Sequence, residues 1–239
     1  MAALLALGLS AALPARGGDF DFSGVSEQEF HTFSRVLGQA IFATPVQPAR
    51  ATGIVGFDVG VAGTLVQVDT HAGYWEHAVT SDVTTGGYLS VPHVVVSKGF
   101  GDFTLSGMIA KINDTGVKTW GGAIDVPVVR GTAATPELAL RGSFATLSGA
   151  DVLREKTYGL EAFVSKGFGP LMPYAAYGRM LTDARGTAST TPSTVTLHDR
   201  SDVARMTAGL RLSFFLPKIV IEATQAEVRS YSVKISVGF

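Results

Sequence analysis

Two hydrophobic periods divide the chain. Between residues 26 and 41 the apolar side chains Phe30, Phe33, Val36, Leu37, Ala40 and Ile41 recur at helical spacing. Ser26 stands where an N-cap belongs, Glu29 completes a capping box, and Thr44-Pro45 stops the run. From about residue 51 onward the period falls to two, the mark of strands with one apolar and one polar face. Val55, Phe57, Val59 and Val61 alternate with Gly56, Asp58 and Gly60. At the other end Tyr231, Val233, Ile235, Val237 and Phe239 alternate with Ser232, Lys234, Ser236 and Gly238. Turn residues punctuate this region into about ten strands, near residues 52–68, 88–97, 103–112, 117–129, 136–147, 156–165, 171–182, 203–214, 218–223 and 228–239. Two long polar loops, 69–87 and 183–201, fall between them.

Composition sharpens this pattern into a membrane barrel. The chain is 46% hydrophobic and 16% charged, with 28 glycines, yet it has no apolar run of about 20 residues that could cross a bilayer as a helix. A transmembrane barrel reconciles the two facts by spreading apolar residues over every second position of short strands. A net charge of −1 points away from nucleic acid, and the absence of cysteine excludes a disulfide framework and thiolate metal sites. Residues 1–16 read as a signal peptide lacking a basic n-region, 17–50 as a lead and amphipathic helix that packs on the barrel mouth, plugs it or binds a periplasmic partner, and 51–239 as the barrel. Pro92, Pro127 and Pro173 fall inside strands, where each removes a ladder hydrogen bond, so bulges or strand ends are expected there.

The alternating stretch that ends on Phe239 resembles the closing strand of bacterial outer-membrane β-barrels. That resemblance implies that Tyr231, Val233, Ile235, Val237 and Phe239 form the signal read by the barrel-insertion machinery. An internal echo supports the same reading. Val96-Ser-Lys-Gly-Phe-Gly101 recurs as Val164-Ser-Lys-Gly-Phe-Gly169, each time as a short turn with a girdle aromatic. With Leu140-Arg-Gly-Ser-Phe144 and Thr157-Tyr-Gly-Leu160, this turn is similar to an uncharacterised family of Gram-negative outer-membrane β-barrel proteins. The resemblance implies an up-and-down barrel in contact with outer-membrane lipid and lipopolysaccharide. It implies no cofactor and no activity.

By the same alternation a balanced set of charges faces inward: Asp58, Asp125, Glu137, Glu161 and Glu222 against Arg141, Arg179, Arg205, Arg211 and Lys234. Such a lumen charge network can pair across strands and close a narrow barrel, since interiors of about eight strands are just filled by side chains. Candidate chemistry is thinner. His71 and His77 sit with Asp69 and Glu76 in the first long loop, and His198 sits with Asp199 and Asp202 in the second. Together they suggest a surface hydrolase in which carboxylates activate water. His71, Glu76 and His77 form a sparse metal pattern. His93 is expected to point outward near Ser90 and Ser97, and Tyr74, Trp75 and Tyr88 to form an exposed aromatic patch. The reading that results is a structural or narrow-channel outer-membrane barrel whose loops contact ligands. The alternatives are the surface hydrolase and a soluble lipocalin-like binding barrel, in which the apolar face would point inward.

Overall fold

The computed structural model is a closed antiparallel barrel with a helix in its lumen; it describes residues 20–239 apart from 113–114, 133, 191–192 and 215. The signal-peptide segment lies outside the described residues. The strands are β1 (Phe57–Gln67), β2 (Thr84–Thr85), β3 (Tyr88–Gly99), β4 (Thr104–Lys111), β5 (Lys118–Val129), β6 (Glu137–Ser148), β7 (Leu153–Ser165), β8 (Leu171–Thr190), β9 (Ser193–Ser213), β10 (Pro217–Gln225) and β11 (Arg229–Gly238). The two-residue β2 is a side arm paired only with β3. The other ten strands form the ring, each paired with its sequence neighbour and closed by β1 against β11.

The pleats sort as an oily exterior and a mixed interior. Tyr231, Val233, Ile235 and Val237 are 44–54% exposed on the outer face, while Arg141, Glu161 and Glu222 are only 1%, 3% and 6% exposed inside. A lipocalin-like arrangement requires the reverse. The prolines sit where the ladder gives them room. Pro127 lies at a register shift between β5 and β6. Pro92 and Pro173 each fall one residue past the end of pairing with one neighbour, β4 for Pro92 and β7 for Pro173. The repeated turns match in detail. Phe100 donates its amide to the carbonyl of Phe103 (2.8 Å) and Phe168 to that of Leu171 (2.7 Å), with Gly101 and Gly169 at φ of 82° and 62°.

The second long loop does not exist as a loop. Residues 183–190 continue β8 and residues 193–201 begin β9, paired through Thr190↔Ser193. Its Thr residues are β-formers as well as loop-formers, and its inward Ala184, Ala188 and Leu197 are buried in the core. The barrel therefore has a turn end, where β3–β4, β7–β8 and β9–β10 connect tightly, and a hairpin end, where β8–β9 rises and residues 68–87 fold over the opening with α2 (Gly73–Glu76).

Candidate functional site

The lumen is occupied by the chain's own N-terminal segment. Phe20 bridges Val79 at the hairpin end, and the Asp21 amide donates to the carbonyl of Ala78 (3.0 Å). Helix α1 (Glu27–Ile41) then descends through the upper lumen with its capping box formed, Ser26 and Glu29 exchanging hydrogen bonds of 2.8 and 3.3 Å. Phe42 reaches mid-barrel, with its ring 4.2 Å from the Arg205 guanidinium. Residues 44–56 continue in non-helical form to the turn end. There Thr52 donates its amide to Thr104 Oγ1 (3.1 Å) and Gly56 accepts from Gly99 (2.9 Å). The strand β1 starts immediately after.

The helix is seated by packing. Phe22, Phe30, Phe33, Val36, Leu37, Ala40 and Ile41 share one cluster with Val66, Leu89, Val91, Val95, Leu153, Ala184 and Ala188 from the wall. Room for a helix comes from small residues on the facing wall. A Cβ at Gly159 would stand 2.4 Å from the Phe42 ring, and one at Gly186 would stand 2.6 Å from Phe30. Three polar contacts fix the helix in rotation. Asp199 accepts from His31 Nδ1 (2.6 Å) and Ser34 Oγ (2.5 Å), Gln39 bonds both backbone groups of Val228 (3.0 and 3.1 Å), and Arg35 pairs with Glu227 (2.5 Å). Glu155 faces the helix at Gly38, and neither of its oxygens has a hydrogen-bond partner among the described residues. An unpartnered buried carboxyl costs stability at this level of the seat.

The extended part is seated by charge. Arg141, at 1% exposure, clamps Asp125 through Nε (2.6 Å) and Nη2 (2.9 Å), gives Nη2 to the Gln47 carbonyl (3.0 Å) and lies over the Phe163 ring (4.4 Å). Lys234 donates to the Pro45 carbonyl (3.1 Å) and to Gln47 Oε1 (2.9 Å), and pairs with Asp58 (3.0 Å). Lys218 also reaches Asp58 (3.1 Å). Between the two carbonyls so held lies Val46, at φ 48° and fully buried, a left-handed conformation that a β-branched residue adopts only when its surroundings impose it.

The inward charges thus divide by location. Glu161 lies opposite Arg141 in the ladder but pairs instead with Arg205 (3.1 Å) across β8, where Gly178 leaves the space. Glu222 accepts from the Tyr174 hydroxyl. Glu137 and Arg211 are half-buried toward the turn end and form no ion pair among the described residues. Arg179 is a correction: it points outward and pairs with Asp202 on the outer wall (2.8 Å). In β8 apolar residues occupy both faces near it, Met180 inward and Leu181 outward, so alternation could not fix its parity.

Other candidates separate as well. His93 is buried inside the lumen, donating Nδ1 to the Val91 carbonyl (3.1 Å), because α1 makes that part of the interior apolar. Trp75 is buried against Phe33 (6.0 Å between rings), so the expected aromatic patch is a lid contact instead, while Tyr88 lies beside Tyr231 (6.5 Å). His198 faces outward 3.5 Å from Asp183, whereas adjacent Asp199 faces inward and Asp202 is engaged by Arg179. These groups cannot converge on one water. His77 pairs with Glu29 (2.9 Å) rather than with His71 or Glu76. Among the described residues no group of three or more His, Cys, Asp or Glu could hold a metal. Asp199 lies between Ser34 and His31, the wrong order for an imidazole-activated serine.

No family model matches this chain. No curated protein matches it by sequence. Solved structures do resemble it in fold. The N-terminal β-barrel domain of Pseudomonas aeruginosa OprF is 13% identical, covers 78% of this chain and 99% of its own, and has a TM-score of 0.34. The KdgM porin is 10% identical over 77% and 99%, with a TM-score of 0.38. The β domain of the Bordetella autotransporter BrkA is 10% identical over 77% and 99%, with a TM-score of 0.40. These are Gram-negative outer-membrane barrels, and at such identities the likeness extends to the barrel fold alone.

The site residues that the sequence reading passed over belong to the plug: His31, Ser34, Arg35, Gln39, Val46 and Gln47. One signal was available. His31, Arg35 and Gln39 form an i, i+4 ladder of polar groups beside the apolar stripe, the pattern of a helix that needs partners on more than one side.

Proposed function

We propose that the chain resides in the outer membrane as a barrel closed by its own N-terminal segment, a structural protein or a narrow channel at rest in the shut state. The observation that carries the reading is the unbroken course of residues 20–56 from one mouth to the other, held on the way by Asp199, Arg141 and Lys234. Ten strands leave space for little beyond side chains, and a helix plus an extended strand-like segment consumes it. The oily outer face and the girdle aromatics Phe100, Trp120, Tyr158 and Phe168, all 45–59% exposed, suit a bilayer setting. On this reading the turn end is periplasmic, the hairpin end and the 68–87 cap face outward as ligand-contacting loops, and Tyr231 to Phe239 engages the insertion machinery.

Planar-bilayer recording tests this. Wild-type protein should show no steady conductance of nanosiemens size, and a variant lacking residues 20–50 should show it. Large open channels in the wild type would overturn the reading.

A further inference from the structure

The outer wall of β7, β8 and β9 carries charges that a lipid-facing surface has no internal reason to hold. Register places Arg154 opposite Arg185 and Lys156 opposite Asp183, with Arg200 across from Asp183 on the other side. All four cations are exposed on the outer face. Asp202 is held by Arg179 (2.8 Å), which leaves Asp183, 3.5 Å from His198, as one carboxylate among the four cations. Among the described residues Arg154, Lys156, Arg185 and Arg200 have no ion-pair partner. Like charges directly opposite across an antiparallel pair are destabilising. The Arg154–Arg185 pair is thus a cost that a bound anion would relieve. A groove of about 460 Å³ lined by Ser148, Arg154, Lys156, Tyr158, Asp183 and Arg185 opens at this point.

Two neighbouring features identify the anion's carrier. The cations flank the aromatic cluster Trp120–Phe144–Tyr158, with ring centroids 5.9 and 5.3 Å apart, of the kind that marks a headgroup boundary. Farther down the same strands lies an outward apolar groove of about 710 Å³, floored by Ala162, Ala175, Ala208 and Ala223 and walled by Tyr177 and Met206. From Lys156 to Ala162 is roughly 20 Å along the strand, which at a barrel tilt of about 40° is about 15 Å of depth, one leaflet of hydrocarbon.

We propose that this wall is a binding site for a phosphorylated lipid of the outer leaflet, its phosphates held by Arg154, Lys156, Arg185 and Arg200 and an acyl chain lying in the alanine-floored groove. The inference rests on the membrane reading but not on the state of the lumen. The test uses the full chain refolded into neutral phosphatidylcholine vesicles, with and without added lipid A, alongside a variant carrying Arg154→Gln, Lys156→Gln, Arg185→Gln and Arg200→Gln. Heat-modifiable gel migration reports folding, and failure of the wild type to insert would sink the membrane reading itself. With insertion established, saturable lipid A binding at least about tenfold weaker in the variant is the expected result. Equal binding by both proteins, or binding to dephosphorylated lipid A as strong as to lipid A, overturns the site. Inorganic phosphate competing as well as lipid A would also overturn it, because the groove would then add nothing. A single change supplies an arm that does not depend on the quadruple variant folding. Arg154→Gln should raise the thermal midpoint in neutral vesicles and lower it in lipid A vesicles, and a shift of the same sign in both overturns the proposal.

Discussion

The upper and lower halves of the lumen are filled by the same segment in different ways. Above, a helix bonds its own backbone internally, so the wall need offer only apolar side chains and space, as Phe33 and Leu37 find among Leu89, Val91 and Ala184. Below, residues 44–47 run non-helically and leave carbonyls with no partner in the segment. The wall answers with buried cations, Lys234 at Pro45 and Arg141 at Gln47, each balanced by an acid, Asp58 or Asp125. Secondary structure of the guest decides the chemistry of the host.

If the two seats are separate, they can be broken separately. Arg141→Met strands Asp125 and the Gln47 carbonyl in the interior and should cost about 3–5 kcal/mol, read as a lower unfolding midpoint in detergent. Hydrogen exchange should quicken at residues 44–47 while α1 stays protected. Adding Asp125→Leu should recover much of the loss, since a buried ion pair replaced whole by apolar groups is often neutral. Phe33→Ala, at a site with no exposure, should cost about 3 kcal/mol or slightly more and reverse the exchange pattern, freeing α1 first. Loss of protection over both halves in either variant would show one seat, not two. Gly159→Ala probes the join, where a methyl meets the Phe42 ring, and overpacking should cost about 1–3 kcal/mol.

The smallest effect lies at the top of the helix. Hydrogen bonds from the Ser26 amide and hydroxyl, and then His77, hold the Glu29 carboxyl below its ordinary value. A depressed acid contributes stability above its unfolded value and loses it as pH falls through the folded one. The first turn of α1 should therefore fray only on acidification below the ordinary glutamate range, as seen in Trp75 fluorescence beside Phe33. Glu29→Gln should abolish that pH dependence.

The wall was legible where lipid-type and lumen-type residues alternate, as over Phe57 to Val61 of β1 and Tyr231 to Val237 of β11. Where both faces are apolar the rule has no grip. That is why Arg179 was placed inside and His93 outside, and the common cause is α1, which turns part of the interior oily. The capping box and stripe of α1 were plain in the sequence, and the barrel was its expected address, but the wall residues that receive it were not legible, since amphipathic periodicity states that a face is buried and says nothing of which side chains bury it. Residues 183–201 escaped for a different reason. Thr serves loops and strands alike, and only the hydrogen-bonded partner strand decides between them.

Because β1 begins at the turn end while Phe20 sits at the hairpin end, the ring zipped shut between β1 and β11 encircles a cord of its own chain. Such an object cannot be completed first and stoppered afterwards without pulling the cord lengthwise through the bore. The topology therefore leaves two routes of assembly: the cord lies in place before the last seam closes, or it is drawn through the finished bore.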